Sequence, residues 1–248
     1  MQAQGHDVNR SATPRRMNPL RRALRWLRPH SRIQYGDVEV HYKRFLDGGG
    51  SLFGQDYIRF LRGRNMPRQQ RVFEWCAGPG FIGFSLLAHG LCETLCLADV
   101  TPGAVRAARL TVRRNQLGKR VSVYRSDNLK QIPADERWTL VVGNPPHFAE
   151  ERFADDIRSY DREWHLHREL FRDVARFLAP GGVIVLQENN EGSTAETFRP
   201  MIAEAGLEIV LVENCRGCLT PEANFYYLGI VRNGEDPPEW LRPSPDHD

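Results

Sequence analysis

At 248 residues, 41% hydrophobic and 26% charged, the chain has the size and composition of one large α/β domain, or of one domain with a modest extension. No apolar run approaches the roughly 18 residues a membrane helix needs, and the N-terminus lacks an apolar leader with a small-residue cleavage site. Neither a membrane span nor secretion is expected. The net charge of +3 is uneven: residues 1–32 hold eight arginines against Asp7, a balance of +7, which leaves the rest of the chain at −4.

Residues 1–16, mixing Gly, Ser, Pro, Asn and Arg, read as a disordered basic arm. Three readings of the arm stay open. A basic tail suits an anionic partner such as nucleic acid, an Arg-rich, acid-poor start suits an organellar presequence, and a GC-rich genome yields the same arginine skew. Residues 17–70 read as an N-terminal, largely helical extension that acts as a lid. In it, Leu20, Leu24 and Leu27 predict a short amphipathic helix over Pro19–Arg28, which Pro29 ends. Residues 38–45 read as a strand or turn, Asp47–Gly50 as a hinge, and Phe53–Leu61 as a helix.

From residue 71 strands and helices alternate. Strands are expected at Arg71–Cys76, Thr94–Ala98, Val121–Tyr124, Leu140–Val142, Gly182–Gln187, Glu208–Val212 and Phe225–Val231. Helices are expected at Gly80–His89, Pro102–Asn115, His165–Leu178 and Thr194–Ala205. This predicts a doubly wound, seven-stranded, mostly parallel α/β sheet over residues 71–234. No long helix separates the last two strands, so the final one is expected to run antiparallel. Residues 235–248 read as a disordered tail. Five cysteines in or beside strands suggest reduced thiols in the cytoplasm.

The turn after the first of these strands reads Glu74-Trp75-Cys76-Ala77-Gly78-Pro79-Gly80. Its glycines permit positive φ and close backbone approach, and the helix that follows offers N–H donors. A carboxylate here would repel a pyrophosphate but suits a ligand with an ammonium group. Asp99 ends the next strand, where an acid can hold two ribose hydroxyls. Ser126-Asp127-Asn128 follows the third strand, placed to bind an adenine amine. Alone, Asp99 and Asp127 would be read as helix caps or turn residues; their placement after successive strands argues otherwise.

These motifs resemble the class I S-adenosylmethionine-dependent methyltransferases over roughly residues 45–231. The resemblance implies that Glu74, Ala77, Gly78 and Gly80 cradle the methionine moiety of S-adenosyl-L-methionine. Asp99 would hold the ribose, and Asp127 with Asn128 the adenine. By the same resemblance Asp47–Gln55 folds over the cofactor, so that Gln55 touches it.

The fourth strand runs into Gly143-Asn144-Pro145-Pro146-His147-Phe148. The prolines remove backbone donors and fix the chain, leaving the Asn144 amide and the Pro145 carbonyl as acceptors for the N–H groups of a planar amine or amide. Such a clamp works by positioning. The sequence resembles the Asn-Pro-Pro-aromatic signature of amino and amide N-methyltransferases. These include release-factor glutamine, ribosomal RNA guanine and adenine N6 enzymes, and Asn144 would border cofactor and acceptor alike. Here His147 replaces the usual aromatic ring. It is expected to stack on a flat substrate beside Phe148, with action as a general base as the competing role.

Other signals are weaker. Ala149–Trp164, long and charged, is expected to be a lid or substrate loop. Gln187-Glu188-Asn189-Asn190 follows a central strand, which makes Glu188, Asn189 and Asn190 candidate substrate readers or a merely polar turn. Cys215-Arg216-Gly217-Cys218 lacks a second ligand pair, and His165 and His167 face different ways on a helix, so no metal site is expected. The expected function is N-methylation of a small molecule or protein side chain. RNA base methylation, O-methylation with His147 as base, and non-catalytic cofactor binding are the alternatives.

Overall fold

The computed structural model describes residues 29–46, 50–215, 219 and 224–243. The basic arm, the Pro19–Arg28 helix, Asp47–Gly49 and Cys218 lie outside the described residues.

The extension is not mainly helical where it is described. Ser31–Tyr35 (β1) and Val38–Tyr42 (β2) form an antiparallel hairpin before the helix Gly50–Gly63 (α1). The tight turn needs Gly36 at φ +49, where a Cβ would also lie 2.9 Å from the Ala88 carbonyl. Polar alternation hid β1, because little of it is buried: its one buried side chain is Tyr35.

The main sheet comprises Gln69–Trp75 (β3), Cys92–Asp99 (β4), Val121–Arg125 (β5), Trp138–Gly143 (β6), Leu178–Asn189 (β7), Leu207–Asn214 (β8) and Phe225–Arg232 (β9). Its strand order is β5-β4-β3-β6-β7-β9-β8. The first five are parallel, and β9 is antiparallel to both β7 and β8. The expected last antiparallel strand is thus present, inserted between β7 and β8. Helices Phe81–Ala88 (α2), Pro102–Arg114 (α3), His165–Val174 (α4) and Ala195–Glu204 (α5) follow β3, β4, β6 and β7.

The period-2 alternation of each strand makes two cores. Val72, Leu95, Leu97, Leu140, Val142 and Val185 face α1 and α2. Phe73, Cys96, Val141, Ile184 and Leu186 face α4 and α5. β2 is pinned to α3, since the Glu39 and His41 backbone N–H groups donate to Asn115 Oδ1 and Thr111 Oγ1, both at 2.9 Å. α1 is pinned to the sheet: the Tyr57 hydroxyl lies 2.7 Å from the Gly143 carbonyl and 2.9 Å from that of Val185. These carbonyls sit near the carboxyl ends of β6 and β7, which brings α1 over the edge where the motifs gather.

Two expectations are corrected. The tail is not disordered throughout 235–248: Glu239–Leu241 forms a 3-10 turn that buries Trp240 and Leu241 against the core. Cys76, Cys92 and Cys96 are free thiols, whereas Cys215 is disulfide-bonded, so the thiols are not all reduced.

Candidate active site

The carboxyl edges of β3, β4, β5 and β6 open onto a cavity of about 560 Å³, the size range of small-molecule sites. Its wall at β3 is the loop Cys76–Pro79. Gly78, at φ +54, has no heavy atom within 4 Å of where a Cβ would stand, so a side chain there would fill open cavity space. Gly80 works differently. It does not line the cavity; a Cβ there would meet Leu97 and Phe84 at 2.8 Å, so its absence lets α2 pack on β4.

Glu74 is buried and both its oxygens accept backbone N–H groups from α2, Ile82 at 3.2 Å and Gly83 at 2.7 Å. It therefore ties the helix start to the loop and borders the cavity from below. Burial pushes its carboxyl up to about 8, against the pull of those two N–H groups. Asp99 accepts from Gly78 N–H at 2.8 Å through Oδ2 and from Thr101 N–H at 2.7 Å through Oδ1. The Thr101 side chain donates to it as well, and Asp99 lines the cavity. Burial raises its pKa.

At the β5 end, Asp127 is exposed on the rim and paired with Lys130 at 2.7 Å. Asn128 holds φ +51 and donates from Nδ2 to the Leu166 carbonyl at 2.8 Å. Its Oδ1 is buried without a partner, an acceptor that an exocyclic amine would satisfy. Val100, 43% exposed, offers an apolar surface beside it. The open cradle at Gly78, the carboxyl of Asp99 and the orphaned oxygen of Asn128 fit the amino acid, ribose and adenine parts of S-adenosylmethionine.

Asn144 stands at the cavity floor, its Nδ2 donating to Gln187 Oε1 at 2.8 Å. Gln187, fully buried, donates in turn from Nε2 to the Tyr227 hydroxyl at 3.1 Å. This chain turns Asn144 Oδ1 toward the cavity as an acceptor. Pro145 is buried, and Pro146 lines the cavity.

His147 lines the cavity but is only 8% exposed, held against Phe225 at 5.5 Å and edge-on to Phe148 at 6.4 Å. Little ring face is left for stacking. Phe148 also lines the cavity, with one face already covered by Phe153 at 4.0 Å. Of the polar run at the end of β7, Asn189 lines the cavity, whereas Glu188 and Asn190 do not. Glu188 is fully buried behind His147, and Asn190 is spent on the side chains of Asn214 and Asn224 at 3.2 and 2.9 Å. Gln55 lies in a separate hollow with Tyr35 and His89, because its face of α1 points away from the cavity. The contribution of α1 to the cavity is Phe53 instead.

The Ala149–Trp164 loop does border the cavity, through Ile157, Arg158 and Ser159. It folds back on the Asn-Pro-Pro-His turn: Phe148 N–H donates to the Ser159 carbonyl at 2.9 Å, and Asp161 N–H to that of Phe148 at 2.8 Å. Among the described residues no cluster of three or more potential metal ligands exists.

The sequence profile of the methyltransferase small domain matches residues 43–205, and the chain belongs to that family. It is 29% identical over 132 residues to the release factor glutamine methyltransferase of Clostridium acetobutylicum, covering 48% of this chain and 46% of that one. The ribosomal RNA small subunit methyltransferase C of Alcanivorax borkumensis is 28% identical, covering 64% and 42%. The 4-amino-L-phenylalanine/4-methylamino-L-phenylalanine methyltransferase of Streptomyces pristinaespiralis is 29% identical, covering 48% and 44%. The chain thus spans about half the length of the curated relatives it matches.

Proposed function

We propose that the protein transfers a methyl group from S-adenosylmethionine to a nitrogen of a planar amine or amide, on a small molecule or a protein side chain. The observation that carries this is Asn144, whose Nδ2 is tied to Gln187 so that Oδ1 is left to accept an N–H from a substrate. A carbonyl acceptor selects nitrogen that still bears hydrogen and aims its lone pair, which is a gain in positioning. When bound, S-adenosylmethionine supplies an electrophilic methyl group on a sulfonium. Gly78 and Asp99 would hold its amino acid and ribose parts, with Asp127 and Asn128 at the adenine.

The relatives support the same reading, since they carry names for methylation of a glutamine and of an aromatic amine. Another relative is named for ribosomal RNA. The chain beyond residue 32 carries a net −4, which disfavours a phosphate backbone. The test is calorimetry with S-adenosylhomocysteine, followed by incubation with methyl-labelled S-adenosylmethionine and cell extract. Binding, with label appearing in small molecules or protein, supports the proposal; label confined to RNA moves the acceptor to a nucleobase.

A further inference from the structure

Behind the site lies a chain of four titratable side chains that the clamp alone does not need. His147 Nδ1 is 3.4 Å from Glu188 Oε2, the loosest link. Glu188 Oε1 is 3.1 Å from His167 Nε2, and His167 Nδ1 is 2.6 Å from Asp161 Oδ2. Glu188, His167 and Asp161 have fully buried side chains.

We propose that His147 accepts the proton shed by the acceptor nitrogen during methyl transfer, and that Asp161, His167 and Glu188 are positioning residues that hold its ring for that step. This rests on the methyl-transfer reading above. A carboxylate can only accept, so Glu188 takes the Nδ1–H of His147 and leaves the Nε2 lone pair available. Among the described residues Nε2 has no hydrogen-bond partner, and it is not one of the sealed polar atoms.

The charges run the same way. Between two carboxylates His167 is held protonated: burial works against its charge, but Glu188 and Asp161 outweigh burial and push it up to about 9. Burial likewise works against a charged Glu188, yet His167 and His147 keep its carboxyl below the usual range. Trp75, Trp164 and Phe198 ring His167 at 4.7–5.4 Å, and Cys76, Tyr226 and Tyr57 are further titratable groups facing the network. With His147 neutral the network carries −1, and uptake of one proton makes it neutral. Its only outlet toward the cavity is His147.

In the step, the acceptor nitrogen forms its bond to the methyl carbon as the S–C bond breaks and leaves its electron pair on sulfur. The same nitrogen gives one N–H proton to Nε2 of His147. The acceptor is therefore a primary or secondary nitrogen; a tertiary amine has no proton to give.

The construction supports a dedicated role. Glu163 and Trp164 both hold left-handed φ, +52 and +59, a strained pair that brings Asp161 under α4. There Asp161 accepts from Leu166 N–H at 2.8 Å and His167 N–H at 3.2 Å, in addition to the His167 ring. Asp161→Asn removes the charge and can keep the Leu166 N–H bond to Oδ1, whereas its Nδ2, a donor, no longer accepts from the His167 N–H or ring.

The test is nitrogen NMR of the full chain with labelled histidine, before any substrate is added, assigning His147 by its loss in His147→Gln. We expect the neutral ring in the wild type to carry its proton on Nδ1, and Glu188→Gln and Asp161→Asn to lose that preference. A wild-type ring protonated on Nε2, or an unchanged preference in both variants, overturns the proposal. With methyl-labelled S-adenosylmethionine and extract, His147→Gln is expected to lose about 10²–10⁴ in rate while S-adenosylhomocysteine binds within about two-fold of wild type. Transfer within about three-fold of wild type overturns the proposal. Failure of the wild type to bind S-adenosylhomocysteine sinks the methyl-transfer reading instead, a result the NMR does not share.

Discussion

Under the proposed function, Asp99 is the side chain on which a bound nucleoside depends most. Its two oxygens order Gly78 and Thr101, and under the proposed function it also holds the ribose hydroxyls. A hydrogen bond to a charged group is worth about 1.5–3 kcal/mol, so Asp99→Ala is expected to weaken S-adenosylhomocysteine about tenfold or more in calorimetry. Wild-type affinity in that variant would remove Asp99 from the site. Asn144→Asp keeps the shape but replaces the tethered Nδ2 by a second oxygen facing Gln187 and adds charge beside the sulfonium. Cofactor binding should survive or tighten while turnover falls; unimpaired turnover would reduce Asn144 to a turn residue. His147→Tyr separates the two roles read for that ring. A stacking platform would keep activity within about one order of magnitude, whereas a proton acceptor would lose 10²–10⁴, since tyrosine titrates near 10. The steep loss is expected, because the ring is enclosed by Phe225 and Phe148 and backed by Glu188. That the motifs gather at one cavity was legible because each lies at or just past the carboxyl end of a strand. Asp161 and His167 were not: they lie six apart across a kink, and nothing in their spacing reveals a shared hydrogen bond. Gln55 was misplaced because helical phase decides which side of α1 meets the cavity, and the apolar pattern alone does not say which face the site occupies.

Elements with a clear hydrophobic period are where reading and structure agree, from β3 through β9, with ends shifted by a few residues. β1 escaped because it borrows its stability from pairing with β2 and packing on α2 rather than from its own sequence. The most informative element is the loop between β6 and α4, since it carries Asp161 and is closed on the catalytic turn. Its network makes stability depend on pH. His167 has a folded pKa of about 9 against an ordinary 6.5, so its contribution is whole below pH 6.5 and lost as pH rises toward 9. Glu188 is lowered from 4.5, so its contribution holds above pH 4.5 and is lost on acidification. Glu74, raised to about 8, adds to the loss on the alkaline side, because its protonated form is the one folding favours. Thermal melting should therefore drop between pH 6.5 and 9, and the slope should be shallower in Asp161→Asn. Parallel slopes in the two proteins would mean that His167 does not titrate with folding. A second structural point lies after β7: a Cβ on Gly192 would stand 2.0 Å from the His147 carbonyl. Gly192→Ala is thus expected to displace the catalytic turn and cut turnover with the sheet intact by circular dichroism.

At the scale of the whole molecule, a parallel sheet places every motif at one edge, which is why separate strand ends build a single cavity. The class of fold was readable from alternating strands and helices; the docking of the hairpin and of Trp240 was not, since both depend on partners distant in sequence. Residues 1–16 lack apolar periodicity, so their removal should leave S-adenosylhomocysteine binding unchanged; lost binding would make the arm part of the folded unit. The central claim is nitrogen methylation through Asn144. Its most direct measurement is the chemical position of label after incubation with methyl-labelled S-adenosylmethionine and extract, resolved by mass spectrometry and NMR of the labelled product. Label is expected on a nitrogen that bore hydrogen, and is expected to disappear with Asn144→Ala while S-adenosylhomocysteine still binds. Label on oxygen, or undiminished transfer by Asn144→Ala, would contradict that claim.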